Sequence, residues 1–143
     1  MLRIEWQDDI GILRLDRPPV NALNTELLAR LTAAIGEAPA QGARGLVITG
    51  HGAHYCAGLD VRELLEADAR QLEALLGGFL DALHAIAASP VPVVAAMNGH
   101  SPAGGAVLAL PCDRRVLADG TTRVGLNEVA VGLSPGPLIH ALL

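Results

Sequence analysis

The chain has 143 residues, of which 51% are hydrophobic, enough for one compact domain with a buried core but too few for two. Its formal net charge of −5 argues against nucleic acid or an anionic membrane surface as the main partner. Every apolar stretch is interrupted well short of a membrane span, and the charged N-terminus has no signal-peptide apolar region. The two cysteines, Cys56 and Cys112, fit reduced buried thiols in a cytoplasmic protein.

The first third of the chain alternates strand and helix patterns. Residues 2–6 and 10–15 alternate as two short strands joined by a turn. The prolines of RPPVNAL (17–23) predict an extended loop, after which Asn24 caps a helix. One face of that helix is apolar and consists of Leu27, Leu28, Leu31 and Ile35. RGLVITG (44–50) then reads as a buried strand.

The rest of the chain continues this alternation. After a polar loop at 51–58, the predicted elements are a helix over 59–89 in one or two pieces, a buried strand over 90–99, a short helix apolar on all sides over 104–111, and short strands over 114–119 and 121–125. Residues 126–136 predict a loop or turn, and 137–143 the start of a helix. Alternating strands and helices predict an α/β fold with a largely parallel sheet.

Two motifs suggest chemistry that their surroundings do not support. GLSPG (132–136) matches the nucleophile-elbow pattern, but Pro135 lacks the N–H that the elbow needs after its serine, so Ser134 is better explained by a turn. His51, His54 and Cys56 share one loop and could be taken for metal ligands. Only His100 and Cys112 follow them, at no known zinc spacing, so we expect no metal.

Two glycine turns are the better candidates for a site. CAGLD (56–60) and PAGG (102–105) each follow a buried strand and precede a helix. Each turn therefore leaves backbone N–H groups free at the carboxyl end of a strand, where α/β sheets bind ligands. Together they could form an oxyanion hole built from main chain. Glycine that merely relieves steric crowding at such turns is the alternative explanation.

Glu128 is the one carboxylate in the apolar stretch VGLNEVAVGL (124–133). A solvated loop glutamate is the commoner case for an isolated Glu. In an apolar pocket, however, its pKa would rise, and it could then act as a general acid and base. Because no second carboxylate lies close in sequence, one residue would have to perform both proton transfers.

Four blocks of the sequence resemble the crotonase (enoyl-CoA hydratase/isomerase) superfamily in order and spacing. They are LDRPPVNALNTELLARL, GLVITGHGAHYCAGLDVREL, VPVVAAMNGHSPAGGAVLALPCDRRVLAD and VGLNEVAVGLSPG. The resemblance implies an α/β spiral of ββα units, with residues 1–143 forming a single acyl-CoA-binding core. It also implies a homo-oligomer, a trimer or hexamer, that needs no cofactor beyond the CoA of its substrate. The chain stops where the family's C-terminal helical region begins, so we expect a truncated form of the fold.

The resemblance also assigns roles to individual residues. The N–H groups of Leu59 and Gly104 would form the oxyanion hole, and Glu128 would be the catalytic acid and base. The implied substrate-binding residues, several of them along the CoA path, are Ala22, Ala57, Gly58, Asp60, Val61, Gly105 and Val107. No metal ligand is implied.

One departure from the family pattern bears on the reaction. Hydratases similar to this chain carry two glutamates, and Val107 stands at the position that matches the first. The blocks SPAGG, CAGLD and GLNE are most similar to Δ3,Δ2-enoyl-CoA isomerases, which work with one glutamate. We therefore expect a cytoplasmic isomerase of fatty-acid β-oxidation. An enoyl-CoA hydratase, or a non-catalytic remnant that binds acyl-CoA or a full-length paralogue, is the alternative.

Overall fold

The computed structural model describes residues 1–126, which form two sheets. The strands are β1 (Leu2–Gln7), β2 (Ile10–Leu15), β3 (Gly45–Gly50), β4 (Val93–Met97), β5 (Ser101–Pro102), β6 (Arg114–Leu117) and β7 (Val124–Gly125). The larger sheet has the order β1-β2-β3-β4-β6, with β1 antiparallel to β2 and every other pair parallel. The predicted largely parallel sheet is thus present in this part of the chain.

The helices follow the strands as the sequence predicts. They are α1 (Thr25–Glu37), a 3-10 turn (Ala38–Gln41), α2 (Val61–Glu66), α3 (Ala69–Ala87) and α4 (Gly104–Ala109). Asn24 caps α1 by accepting the Leu27 N–H at 2.9 Å, as expected. The helical stretch over 59–89 is divided in two because Asp68 forms a capping box with Gln71 and starts a new helix.

The core lies between the larger sheet and the pair of helices α1 and α3. The predicted apolar face of α1 is buried, and α3 contributes Leu75, Phe79, Ala82, Leu83 and Ile86. From the sheet, β4 buries alternate residues, as a strand with one face against helices should. Helix α4 is buried from Gly105 to Ala109, which matches the prediction of a helix that is apolar on all sides.

A second, smaller sheet gives the molecule its spiral form. Strand β5 pairs with β7 in parallel, and His54 forms a parallel bridge with His100, next to β5. Each of β3, β4 and β6 is therefore followed by a short extended segment in a second layer. After the first two of these segments the chain enters a helix, so successive turns stack the same strand-to-helix connections side by side. This stacking brings the two predicted glycine turns together.

Some predictions are refined, and others concern residues outside the described part of the chain. The helix after the first glycine turn begins at Val61 rather than at Leu59, because Asp60 is its N-cap. Glu128, Ser134 and the predicted helix over 137–143 lie outside the described residues. Cys56 and Cys112 are buried free thiols, as predicted. No helix within residues 1–126 combines the length and apolar composition needed to cross a membrane.

Candidate active site

The first turn, residues 56–60, is joined to the loop before α1 by a backbone bridge between Leu23 and Leu59. Leu23 donates its N–H to the Gly58 carbonyl at 2.8 Å and accepts the Asp60 N–H at 2.8 Å. Because successive peptide groups of extended backbone point in opposite directions, this bridge turns the Leu59 N–H away from Leu23. That N–H has no acceptor among residues 1–126.

Asn21 holds the chain that leads into the first turn. It is buried, at 1% exposure, and has a positive φ of 54°. Its side-chain amide donates to the carbonyls of His51 at 2.9 Å and His54 at 2.8 Å, and its oxygen accepts the Arg17 N–H at 3.0 Å. One side chain therefore satisfies backbone groups of both loops, which fixes the position of the first turn relative to the loop before α1.

The carboxylate of Asp60 has a structural role at the end of the same turn. It accepts the Arg62 N–H at 2.9 Å as the N-cap of α2 and pairs with the Arg17 guanidinium at 2.5 Å. Burial alone would raise the pKa of Asp60, but Arg17 and the Arg62 N–H outweigh that effect and hold the pKa below its usual range. Asp60 therefore stays ionised at neutral pH, but its lowered pKa and its contacts with Arg17 and the Arg62 N–H make it a weak proton acceptor.

The second turn, residues 101–105, is held differently. Its backbone makes two bonds to the segment that contains β7, from the Ser101 N–H to the Arg123 carbonyl at 2.8 Å and from the Ala103 N–H to the Gly125 carbonyl at 2.9 Å. The Ala103 carbonyl accepts the Ala106 and Val107 N–H groups and so starts α4. Ala103 has a φ of 50° and a ψ of −130°, a conformation that favours glycine. The Gly104 N–H has no acceptor within the described part of the chain.

The two turns face each other across glycines that leave no room for side chains. A Cβ placed on Gly58, whose φ is 93°, would lie 2.9 Å from the Gly104 nitrogen. A Cβ placed on Gly104 would lie 3.3 Å from the Leu59 nitrogen and 3.5 Å from Cζ of Phe79 on α3. A Cβ placed on Gly105 would come within 1.9 Å of the Cys56 carbonyl oxygen. The close contact of the two turns therefore depends on glycine.

This arrangement brings together two N–H donors, those of Leu59 and Gly104, that have no partner among residues 1–126 and lie on adjoining backbone segments. Two backbone N–H groups directed at one oxygen stabilise the negative charge that develops there during acyl chemistry. Because the donors belong to the main chain and are fixed by the packing of the turns, little reorganisation is needed when charge appears. The geometry is compatible with an oxyanion site beside the ring of Phe79.

The other predicted substrate residues lie at different depths. Ala57 and Ala22 are half-buried, and Ala22 accepts a hydrogen bond from the Arg17 guanidinium at 3.2 Å. Val61, at 63% exposure, is at the surface where α2 begins. Val107 is completely buried on α4, and Gly105 is buried against Cys56. The structure therefore groups Gly58, Leu59, Gly104 and Gly105 closely, with Val61 at the rim and Val107 in the core.

The cysteines and histidines form no metal cluster in the described residues, where no group of three or more His, Cys, Asp or Glu side chains could hold an ion. Burial raises the pKa of the Cys56 thiol to about 12, although the Gly58 N–H opposes this by donating to the sulfur at 3.4 Å. Burial likewise raises the pKa of Cys112 to about 12. Neither thiol is therefore available as a thiolate at neutral pH.

Two supporting residues are absent from the sequence-based assignment. RPPVNAL was interpreted only as an extended loop, yet Asn21 and Arg17 within it position the first turn. The available signal was the presence of Asn and Arg in an otherwise apolar loop, because Asn tolerates positive φ and bonds readily to backbone. The unusual backbone of Ala103 had no signal, since alanine does not indicate positive φ.

Comparison with known proteins supports a specific family. The protein-family sequence model that is described as enoyl-CoA hydratase/isomerase matches residues 5–143 of this chain. A probable enoyl-CoA hydratase of Mycobacterium tuberculosis is 42% identical over 120 residues, which cover 82% of this chain and 47% of that protein. One from Rhizobium meliloti is 34% identical over 137 residues, covering 94% of this chain and 52% of that protein. The chain thus spans about half the length of the curated relatives it matches.

Solved structures give the same result for the fold. An enoyl-CoA hydratase from Mycobacterium marinum superposes with a TM-score of 0.89 at 30% identity, covering 99% of this chain and 61% of that one. A putative enoyl-CoA hydratase from Streptomyces coelicolor superposes with a TM-score of 0.86 at 36% identity, and the match covers 99% of this chain and 54% of that one. The predicted spiral is therefore confirmed, and the chain belongs to the enoyl-CoA hydratase/isomerase (crotonase) family.

Proposed function

We propose that this chain carries the catalytic core of a Δ3,Δ2-enoyl-CoA isomerase. The observation that supports the proposal best is the pair of N–H donors of Leu59 and Gly104, which have no acceptor in the described part of the chain and adjoin each other where the two turns meet. A thioester carbonyl oxygen bound between them would be stabilised as it becomes an enolate oxygen. Such a donor pair lowers the barrier to proton removal from the carbon next to the thioester, C2.

In the proposed reaction Glu128 performs both proton transfers. Its carboxylate removes a proton from C2 of a 3-enoyl thioester, and the electron pair of that C–H bond is delocalised onto the thioester oxygen as a dienolate. The carboxylic acid then returns the proton to C4, so that the double bond moves from C3–C4 to C2–C3. No water is consumed and no metal or redox cofactor is needed, since CoA belongs to the substrate.

Val107 supports an isomerase rather than a hydratase. It occupies the position that matches the first glutamate of the hydratases, and its side chain is fully buried and apolar. Hydration needs a group that holds and activates water, usually in addition to the acid that protonates the substrate. With Val107 at that position, the chain offers the carboxylate of Glu128 alone, which suffices for moving one proton between two carbons.

The remaining assignments are part of the same proposal. We assign Ala22, Ala57, Gly58, Asp60 and Val61 to the CoA path, with Asp60 acting through its backbone because its carboxylate is already paired with Arg17. Gly105 and Val107 would support the acyl end from α4. We further propose that the protein acts as a homo-oligomer, a trimer or hexamer, in cytoplasmic fatty-acid β-oxidation.

An isomerase assay tests the proposal directly. The full chain is incubated with a 3-enoyl-CoA, and formation of the conjugated trans-2-enoyl-CoA is followed by its ultraviolet absorbance. Glu128→Gln is expected to lower kcat by about 10²–10⁴-fold, the usual contribution of a general acid–base group, while thioester binding is retained. Glu37→Gln, which makes the same change on an exposed carboxylate at the end of α1, is the matched control. Undiminished turnover by Glu128→Gln would refute the mechanism.

Two alternatives to the isomerase predict different products in the same assays. The relatives reported above are named enoyl-CoA hydratases, which favours hydration, and formation of the 3-hydroxy product from 2-enoyl-CoA would establish it. The second alternative is a non-catalytic module that binds acyl-CoA or a full-length paralogue. That module would bind the thioester and convert neither the 2-enoyl nor the 3-enoyl substrate.

A further inference from the structure

Three residues from successive turns of the spiral lie side by side on the outer face of the small sheet. His54 and His100 form the parallel bridge, and the Arg123 N–H donates to Nδ1 of His100 at 3.1 Å. Their sequence neighbours Tyr55 and Ser101 are fully buried, as alternation along extended backbone requires. The two imidazoles therefore belong to the face opposite the core, and Arg123 is exposed beside them.

The hydrogen bond from Arg123 fixes the protonation pattern of His100. Since Nδ1 of His100 accepts a backbone N–H, it has no proton of its own, and the proton of the neutral ring is on Nε2. His100 thus presents a hydrogen-bond donor from its other nitrogen. The His54 ring is held beside it, with ring centroids 5.3 Å apart and planes inclined at 52°.

These side chains line a recess of about 740 Å³, which we call the histidine recess. Besides His54, His100 and Arg123, its polar lining comes from Thr121, and its remaining described lining is apolar or glycine. No carboxylate among residues 1–126 lines it, and none of them forms an ion pair with Arg123. By contrast, a groove of about 320 Å³ between α2 and α3 is lined by Glu63 and Glu66. Arg123 is therefore the one charged side chain of the described lining, in a chain that is acidic as a whole.

We propose that the histidine recess binds an anionic oxygen group, phosphate or carboxylate. The Arg123 guanidinium supplies paired N–H donors with the fork geometry that such groups accept, and His100 supplies its Nε2–H. The hydroxyl of Thr121 is a further donor on the same lining. Neither the proposed acid–base step nor the oxyanion pair uses these three side chains, so anion binding here would be a further role for residues that the proposed chemistry leaves without one.

The position of the recess allows two sources for the anion. Ala57 and Pro102 also line it, and they directly precede Gly58 and Ala103 of the two facing turns. The group could therefore belong to a thioester ligand bound at those turns, for example a phosphate of its CoA part. It could equally be an independent small phosphate or carboxylate. Both sources rest on the same recognition by Arg123 and His100.

Titration of the full chain with inorganic phosphate, and separately with succinate, tests the proposal. Binding is followed by calorimetry and by ¹H–¹⁵N correlation spectra, in which the Arg123 amide and the His100 ring are the expected reporters. Arg123→Gln is expected to weaken binding by about tenfold or more, because it removes the charged fork. Arg30→Gln, which removes the same charge from the exposed Glu26 pair on α1, is expected to change it less than about twofold.

Several results of these titrations would overturn the proposal. Absence of saturable binding of both anions would refute the proposal. Equal weakening of binding by Arg123→Gln and Arg30→Gln would show that only the net charge of the protein matters, which would refute it as well. If Arg123→Gln disturbs the spectrum beyond the recess, His100→Phe asks the same question by removing both ring nitrogens while keeping a ring of similar size. Retention of anion affinity in His100→Phe would also contradict the proposal.

Parallel titrations with CoA, dephospho-CoA and pantetheine identify the source. If Arg123→Gln weakens CoA but leaves pantetheine unaffected, the anion is a phosphate of the CoA part, and dephospho-CoA shows whether it is the 3′-phosphate. If it weakens phosphate or succinate alone, the recess is an independent site. Either result supports anion binding, and neither depends on isomerase turnover.

Discussion

The first and second turns each present a backbone N–H group, but different contacts hold the two turns in place. The first turn is fixed by hydrogen bonds, since Leu23 bonds to both neighbours of Leu59 and Asn21 holds the incoming chain. Within residues 1–126, the second turn is bonded only before its donor residue, from Ser101 to Arg123 and from Ala103 to Gly125, and the packing of α4 into the core keeps Ala103 at a positive φ. A bonded turn resists local opening by itself, whereas a packed and strained turn depends on its surroundings.

The largest expected effect comes from the contact between the turns. Gly105→Ala places a methyl group 1.9 Å from the Cys56 carbonyl oxygen, so the turns must separate, and we expect a loss of at least about 3 kcal/mol in the free energy of unfolding. Gly104→Ala is the matched variant, because its Cβ meets nothing closer than 3.2 Å. Urea unfolding should show the first variant strongly destabilised and the second destabilised much less, because the neighbouring backbone must move by only a few tenths of an ångström. Equal stability of the two would contradict the described contact.

The next effect tests the hydrogen bonds that support the first turn. Asn21→Ala leaves the His51 and His54 carbonyls without their donor and keeps a residue with a Cβ at positive φ, so we expect a cost of about 2–3 kcal/mol. Asn21→Gly also loses the hydrogen bonds but accepts the backbone conformation, and it should recover about 1 kcal/mol of that loss. Thermal unfolding of both variants separates the cost of the lost hydrogen bonds from the cost of holding a Cβ at positive φ. A fully stable Asn21→Ala would show that packing alone holds this turn.

A smaller effect, dependent on pH, comes from the Arg17–Asp60 pair. Because the pKa of Asp60 is lowered in the folded state, the pair stabilises the fold above the ordinary Asp value of 3.8 and loses that contribution as the pH falls through the lowered folded pKa. Arg17→Met should therefore cost about 1 kcal/mol at neutral pH, given the partial exposure of Arg17. The difference from the native chain should shrink as the pH falls below 3.8 and through the lowered pKa. A difference that grows on acidification would contradict this sign.

The smallest expected effect has the opposite direction. Ala103→Gly removes the cost of holding a Cβ at a φ of 50°, and after the greater freedom of glycine in the unfolded chain is subtracted, we expect about 1 kcal/mol of stabilisation. Ala106→Gly, the same substitution inside α4, should instead destabilise by a similar amount. Differential scanning calorimetry measures both. Destabilisation by Ala103→Gly would show that the second turn is not strained.

Most of the larger elements could be predicted from sequence, because their apolar patterns are long enough to repeat. The face of α1 repeats over more than two turns from Leu27 to Ile35, and β3 and β4 are short, mainly apolar runs between turn residues. The small sheet could not be predicted as a sheet. Its strands β5 and β7 have two residues each, too few for any periodicity, and their pairing depends on the stacking of spiral turns.

The site was predictable in part for a related reason. Gly58 and Gly104 attract attention as glycines after buried strands, and the turns that contain them do meet. The residues that hold these turns were not found, because the role of Asn21 lies in contacts with His51 and His54, thirty or more residues further along the chain. Local sequence reports local conformation, and such long-range hydrogen bonds leave no local pattern.

The bridge between Leu23 and Leu59 has a consequence for how this protein tolerates mutation. The group that Leu59 presents is its amide, and the bonds that aim this amide belong to the backbone of Gly58, Asp60 and Leu23. In a saturation scan with activity as the readout, position 59 should therefore accept many apolar side chains and reject proline, which has no N–H. A residue that reacts through its side chain gives the opposite pattern, in which nearly every replacement fails. The pattern of accepted residues at position 59 would thus show whether the backbone N–H, rather than the side chain, carries the function.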